Sequence, residues 1–412
     1  MTQHGIARPG NTIMLAAIMA ILPATELAQS GPHLRNMRTE AAITTSTSTG
    51  FGVPLPGLTP TQAAQFMDGL EKFTEEEDEE DGLGPIFNDV SCVACHSGPC
   101  SGGASGLFVT RFGDTLYDNY DPLVELGGSL LQQFAVNPMC QEFVPAGANT
   151  VAHRQTTPLF GLGLIEAIPD STIEQNAWRV KPFGIKGRAA IITDIVSGQQ
   201  RVGKFGWKAQ QATLLAFSAD AYLNEMGITS RFLPEENAPN GNAALLTLFD
   251  KTEDPEDEMD AQTGQGDVDR FADYMRFLAP PPARVLSKSA KLGQNTFNVI
   301  GCASCHIPSM TTGYSSVAAL DHKTVNLYSD LLLHDMGSLG DGIAQADASS
   351  AEIKTPPLWG LRESKPYLHD GRAKTIQQAI RAHEGEGAAS RDFFNSLGSR
   401  QKKQLLLFLS QI

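Results

Sequence analysis

The 412-residue chain has little that would carry it into a membrane or onto a nucleic acid. One apolar run alone approaches membrane length, NTIMLAAIMAILPATELAQS at residues 11–30, and its uninterrupted apolar part is too short to span. Arg8 precedes it and the small-residue stretch Ala28-Gln29-Ser30 ends it, which is the pattern of a secretory signal peptide. The other reading of this run is an uncleaved N-terminal anchor. An excess of basic residues is also missing. The formal charge is −15, and acidic side chains crowd into EKFTEEEDEEDG (71–82) and DKTEDPEDEMD (250–260), which would repel a phosphate backbone. These runs are either solvated surface or a docking patch for a basic electron-carrier protein. No βαβ pattern appears, so a thioredoxin-like dithiol lacks its usual setting. Cysteine and histidine are scarce, six and nine residues, and each can be considered singly.

Four of the six cysteines fall into two copies of one motif, Cys92-Val-Ala-Cys95-His96 and Cys302-Ala-Ser-Cys305-His306. C-x-x-C-H is the attachment signature of a c-type haem. Two thiols on one helical turn reach the porphyrin's two vinyl groups, and the adjacent imidazole lies under the iron as its axial ligand. A redox dithiol and a four-cysteine zinc site are the competing readings. The zinc site would have to join pairs about 200 residues apart, and it leaves both trailing histidines unexplained. Two covalently bound haems are expected. Export also makes a Cys100–Cys140 disulfide the default for the remaining pair, against two free buried thiols.

At 412 residues the chain exceeds one hydrophobic core, and an internal echo says how it divides. Phe87-Asn88 precedes the first signature at the offset at which Phe297-Asn298 precedes the second, and Pro99 and Pro308 follow. TPLFGL (157–162) returns as PPLWGL (356–361), and FGWKAQQATL (205–214) has a counterpart in LHDGRAKTI (368–376). The order of echoes describes a duplicated haem domain. The fold class expected is mainly α, two tandem cytochrome c-like domains with long loops and a small β-hairpin around AAIITDIV (189–196). The divisions are a signal peptide at 1–30, a flexible leader at 31–59, an N-terminal haem domain at 60–279 and a C-terminal one at 280–412, with Pro280–Pro282 at the boundary. Helices are expected in TPTQAAQFMDGLEKF, capped by Thr59, and in GDVDRFADYMRFLAPPP, TIQQAIRAH and SRQKKQLLLFLSQI.

With these residues in view the chain resembles the di-haem oxidoreductase family, relatives of the bacterial di-haem cytochrome c peroxidases. DGLGPIFNDVSCVACHSGP, TPLFGLGLIEAIPD, GKFGWKA, GCASCHIP, DLLLHDMGSLGDG and TPPLWGLRESKPYLHDGRAKTIQQAIRAHEGEG carry the likeness, from about residue 60 to 412. The resemblance implies one haem open for peroxide and one closed by a second axial side chain. That side chain is usually a Met; here the position holds His383, fourteen residues after His369, and Met/His ligation raises a haem potential, so the replacement lowers it. Met336 and His369 are the other ligand candidates, and His153 is the residue that would close the first haem. By the same resemblance Glu225, in Glu225-Met226-Gly227, is the acid–base carboxyl and Trp207 the relay between haems; their alternatives are a surface helix residue and core packing. The resemblance leaves room for calcium, but no acidic cluster has diagnostic spacing and none is assigned. The resulting expectation is a periplasmic enzyme that reduces peroxide or oxidises an organic substrate, fed by a small electron-carrier protein. Its rival is a non-catalytic di-haem electron carrier.

Overall fold

Two helix pairs organise the chain, and each is built on the same spacing. The computed structural model describes residues 50–117, 119–252 and 259–412. The signal segment and most of the expected leader lie outside them, as does the centre of the second acidic run. The described helices are α1 (Pro60–Thr74), α2 (Cys92–Cys95), α3 (Leu162–Glu166), α4 (Asp170–Trp178), α5 (Leu214–Met226), α6 (Ala243–Phe249), α7 (Asp267–Phe277), α8 (Lys288–Val299), α9 (Ile376–Arg381), α10 (Ala388–Ser396) and α11 (Ser399–Leu409). Thr59 caps α1 in a reciprocal box with Gln62, and Pro60 takes the first turn. None of these helices is long and apolar enough to cross a membrane.

In α1 the residues turned inward are Phe66, Gly69 and Phe73, and in α8 they are Ala290, Gly293 and Phe297. Both sets run i, i+3, i+7, one face of a helix. That face of α1 packs on α7, with Phe73 4.7 Å from the Tyr274 ring. The face of α8 packs on α11, with Phe297 5.4 Å from Phe408. Glycine stands at each closest approach. A Cβ on Gly69 would lie 2.9 Å from Tyr274 Cβ, and one on Gly293 would lie 2.5 Å from the Gln404 carbonyl carbon. Neither helix pair could pack this closely with any larger residue.

The second helix pair, with Phe394 and Ile300, forms a small core of its own. The larger core runs from Phe51 to Leu332 and takes in Met310, Leu320, Val325 and Leu327 from beyond the proline boundary. Its start corrects one expectation. Phe51 and Leu55, inside the leader expected to be flexible as far as residue 59, are buried, and Leu55 N–H donates to the Phe277 carbonyl at 2.7 Å.

The expected hairpin is present, Ile191–Thr193 against Gln200–Val202. A larger sheet was not legible. β1 (Phe108–Leu116) is its long central strand, flanked by β2 (Asn119–Asp121), β3 (Leu130–Leu131) and β4 (Thr150–Gln155), all antiparallel. The architecture is therefore helices with several small sheets. The internal echo has a structural form too. Phe205 bridges Gln211 and Tyr367 bridges Ala373, each closing a seven-residue turn; two residues on, Thr213 caps α5 and Thr375 caps α9.

Candidate haem sites

Cys92 opens α2, and the signature's backbone closes one turn, His96 N–H donating to the Cys92 carbonyl at 3.1 Å. The second signature makes a 3-10 turn, His306 N–H donating to the Cys302 carbonyl at 2.9 Å. In both, the helix-pair aromatic packs near the trailing imidazole: Phe73 is 6.0 Å from His96 and Phe297 is 6.4 Å from His306.

The histidine rings are held alike. His96 Nδ1 lies 3.1 Å from the Gly103 carbonyl, His306 Nδ1 3.1 Å from the Tyr328 carbonyl, and His383 Nδ1 2.8 Å from the Ala379 carbonyl. A carbonyl only accepts, so each Nδ1 carries the proton and each Nε2 presents a lone pair, the state of a metal-binding imidazole with its outer partner in place. Burial holds His96 and His306 down to about 4, which keeps them neutral at ordinary pH. Burial drives the Cys92 and Cys302 thiols the other way, up to about 12. A redox dithiol needs a depressed thiol, so these environments oppose that reading. The zinc reading fails on position. Among the described residues one set of three ligating groups converges, Cys305, Asp330 and His334, and it includes neither cysteine of the first signature.

His306, Cys302, Cys305, His383 and Met336 line one cavity of 270 Å³ with largely apolar walls, reached also by Trp207 and His369. A cavity with two thiols and two ready imidazoles fits a haem held by Cys302, Cys305, His306 and His383. At the first signature the fit is read from orphaned groups. Beside Cys92, Glu77 Oε1 and the Tyr274 hydroxyl are buried without hydrogen-bond partners, and burial pushes Glu77 up to about 7.

Glu225 is in the last turn of α5, against the segment that leads into the first signature. Its side chain accepts from Asn88 Nδ2 at 2.7 Å, and its carbonyl accepts from Asn88 N–H at 2.7 Å. The repeated Phe-Asn dipeptide was the signal for Asn88, yet the two copies differ: Phe87 is in a two-residue strand and Phe297 in a helix. Burial raises the Glu225 carboxyl, and the Asn88 hydrogen bond opposes this.

Trp207 and His369 occupy the third position of their seven-residue turns, and they meet edge to face, ring centres 6.1 Å apart. Gln155 joins them: Trp207 Nε1–H donates to its carbonyl at 2.9 Å, and its own N–H donates to the His369 carbonyl at 2.6 Å. On either side of Trp207 a buried lysine is caged by oxygens. Lys204 donates to the Glu166 and Ile168 carbonyls and pairs with Asp170, while Lys208 donates to three carbonyls and pairs with Asp341 at 3.0 Å.

The remaining histidines and cysteines are placed as follows, and one expectation, the disulfide, is corrected. His153 is exposed on the sheet, with Nδ1 3.2 Å from Thr110 Oγ1. His334 offers no free nitrogen: Nδ1 is 2.6 Å from Glu386 and Nε2 3.0 Å from Asp330. Burial alone would hold it down, but the two carboxylates push it up to about 12. Cys100 and Cys140 are both free and buried, not a disulfide; Cys100 packs beside Gly52, and Cys140 ends a 3-10 turn against α6.

No curated protein matches the chain. Among solved structures it is similar to the Kuenenia stuttgartiensis hydrazine synthase pressurised with xenon, at 15% identity over 98% of this chain and 100% of that one, TM-score 0.38. The diheme peroxidase BthA from Burkholderia thailandensis matches at 15% identity over 86% of each chain, TM-score 0.38. A MauG-like protein associated with microbial copper homeostasis matches at 15% identity over 61% of this chain and 87% of that one, TM-score 0.30. The family model described as "Di-haem oxidoreductase, putative peroxidase" matches residues 145–412, well over half of the sequence, and the chain belongs to that di-haem family.

Proposed function

We propose that this is an exported c-type di-haem enzyme, active in the periplasm, with a tandem pair of cytochrome c-like domains. In this reading Cys92, Cys95 and His96 would hold one haem, and Cys302, Cys305, His306 and His383 would hold the other. The haems supply the electron chemistry when bound, and the protein sets ligation and access. The second site, closed by His383, passes electrons, and a small electron-carrier protein is its partner.

The observation that carries the reading is the contrast between two matching helices. After equivalent bridges and threonine caps, α9 leads to an imidazole that lines the same cavity as His306, while α5 ends in a carboxyl, Glu225, fixed by Asn88. A carboxyl raised by burial above its ordinary range is suited to taking up and returning a proton. Glu225 would take a proton from one oxygen of peroxide and return it to the departing oxygen. Trp207, in contact with His369, lies between the halves as the relay.

Glu225→Gln is expected to lower peroxide turnover by about 10²- to 10⁴-fold with both haems retained. Turnover equal to that of the parent would end the acid–base role.

A further inference from the structure

A second cavity, of 330 Å³, lies apart from the one around His306. Its lining is polar: Arg111 from β1, Ser129, Gln132, Asn224 from α5, Asn237 and Gln345. Arg111 is the cation of this set, and its charge has no counter-charge in contact. Its guanidinium makes a single hydrogen bond, Nη1–H to Ser129 Oγ at 3.2 Å, and Nε is buried without a partner. The neighbouring Arg154 adds like charge, and the carboxylate that could have served both, Asp341, is taken by Arg154 and Lys208. Asp220 and Glu225 act on Arg111 only from beyond ion-pair distance, and burial shifts both toward the neutral acid.

Arg111 is half-buried, but its Nε is shielded from water with no acceptor, which is costly, and its planar fork of N–H donors matches a carboxylate in two-point contact. The volume corresponds to roughly ten waters at about 30 Å³ each, enough for an organic acid of a few carbons. We propose that Arg111 and Ser129 form a binding site for a small carboxylate in this cavity. The site adjoins Asn224, next in sequence to Glu225, so the proposal rests on the reading of Glu225 above when it names small organic acids as the class of molecule the first site receives.

The test is calorimetric titration of the haem-loaded protein with sodium acetate and sodium succinate, against sodium chloride at constant ionic strength. Saturable binding of the carboxylates is expected, weaker for chloride, which cannot use the fork. Arg111→Gln is expected to weaken binding at least about tenfold, since a charge-assisted pair is lost. Ser129→Ala, a milder change, is expected to weaken it by a smaller factor, and it serves if the Arg111 variant does not fold. No saturable heat below about 50 mM carboxylate, equal affinity for chloride, or parental affinity in both variants would overturn the proposal. Glu225→Gln separates the two readings: acetate binding retained beside lost turnover upholds the site, and acetate binding lost in that variant with Arg111 intact overturns it.

Discussion

Gly293→Ala tests the arrangement on which the second site stands. In an isolated helix the change is favourable by about 1 kcal/mol, because glycine is the poorer helix former. In this protein the added methyl would stand 2.5 Å from the Gln404 carbonyl carbon and 2.9 Å from Leu405 N, and closer still to the Gln404 oxygen. Carbon contacts settle near 3.5–4.0 Å, so α8 and α11 must part by about 1 Å, and a gap of that size forfeits a quarter to a half of each dispersion contact along the seam. The obstacle is helix backbone and cannot rotate away. Overpacking of this kind costs about 1–3 kcal/mol, and here it should exceed the propensity gain, leaving a net loss of about 1–2 kcal/mol. The expected result is a melting midpoint lower by about 2–8 °C in the haem-loaded protein, followed by far-UV circular dichroism. Gly106→Ala is the control, since nothing lies within 4 Å of its Cβ position. A Gly293→Ala protein that melts at or above the parent would refute the close-approach argument, because propensity alone predicts that outcome.

His383→Ala should convert the second haem from low-spin to high-spin in the ferric optical and EPR spectra without loss of covalent haem, since the imidazole that lines the same cavity as His306 is gone. An unchanged spectrum moves the ligand to Met336 or His369. Acid stability should depend on Glu352. Burial raises this carboxyl, but its hydrogen bonds from Arg188 outweigh that and hold it down at about 2. A depressed carboxylate stabilises the fold above its unfolded value and loses that contribution as pH falls from about 4.5 through about 2. Glu352→Gln should therefore flatten the fall in denaturant midpoint between pH 5 and about pH 2, and a variant as steep as the parent refutes the linkage.

How much could be read in advance depends on how local the determining physics is. The haem signatures, the Thr59 cap and the proline stop after α7 are each set by a few adjacent residues, and the structure has the corresponding turn, cap and helix end. The sheet around β1 escaped because FVTRFGDTL does not alternate cleanly; its register is set by pairing with β4, some forty residues on. His334 was seen as part of a turn motif that also holds its partner Asp330, whereas its other partner, Glu386, approaches from a segment some fifty residues on. The lysine cages around Trp207 were hidden for the same reason, since their acceptors are mostly main-chain carbonyls, which leave no mark on side-chain patterns. The disulfide expectation followed from compartment alone, and no geometry supported it.

The two halves share a bridge followed by a threonine-capped helix, and the register from those caps says where their side chains differ. Measured from the threonine caps, His383 is eight residues past Thr375, and the residue eight past Thr213 is Ala221. Glu225 comes four residues later in α5, which places it on the same helix face about one turn, or 5.4 Å, farther along. By this count Ala221, inside α5, stands where the second half has His383, two residues past the end of α9, and Glu225, the carboxyl proposed for acid–base work, comes beyond it. Ala221→His should supply the missing group. The expected protein shows a low-spin first haem in the ferric spectrum and little peroxide turnover even though Glu225 is intact. If the first haem stays high-spin and turnover is untouched, the helices are not in equivalent register toward their irons, and the contrast between an open and a closed site must come from elsewhere in the fold.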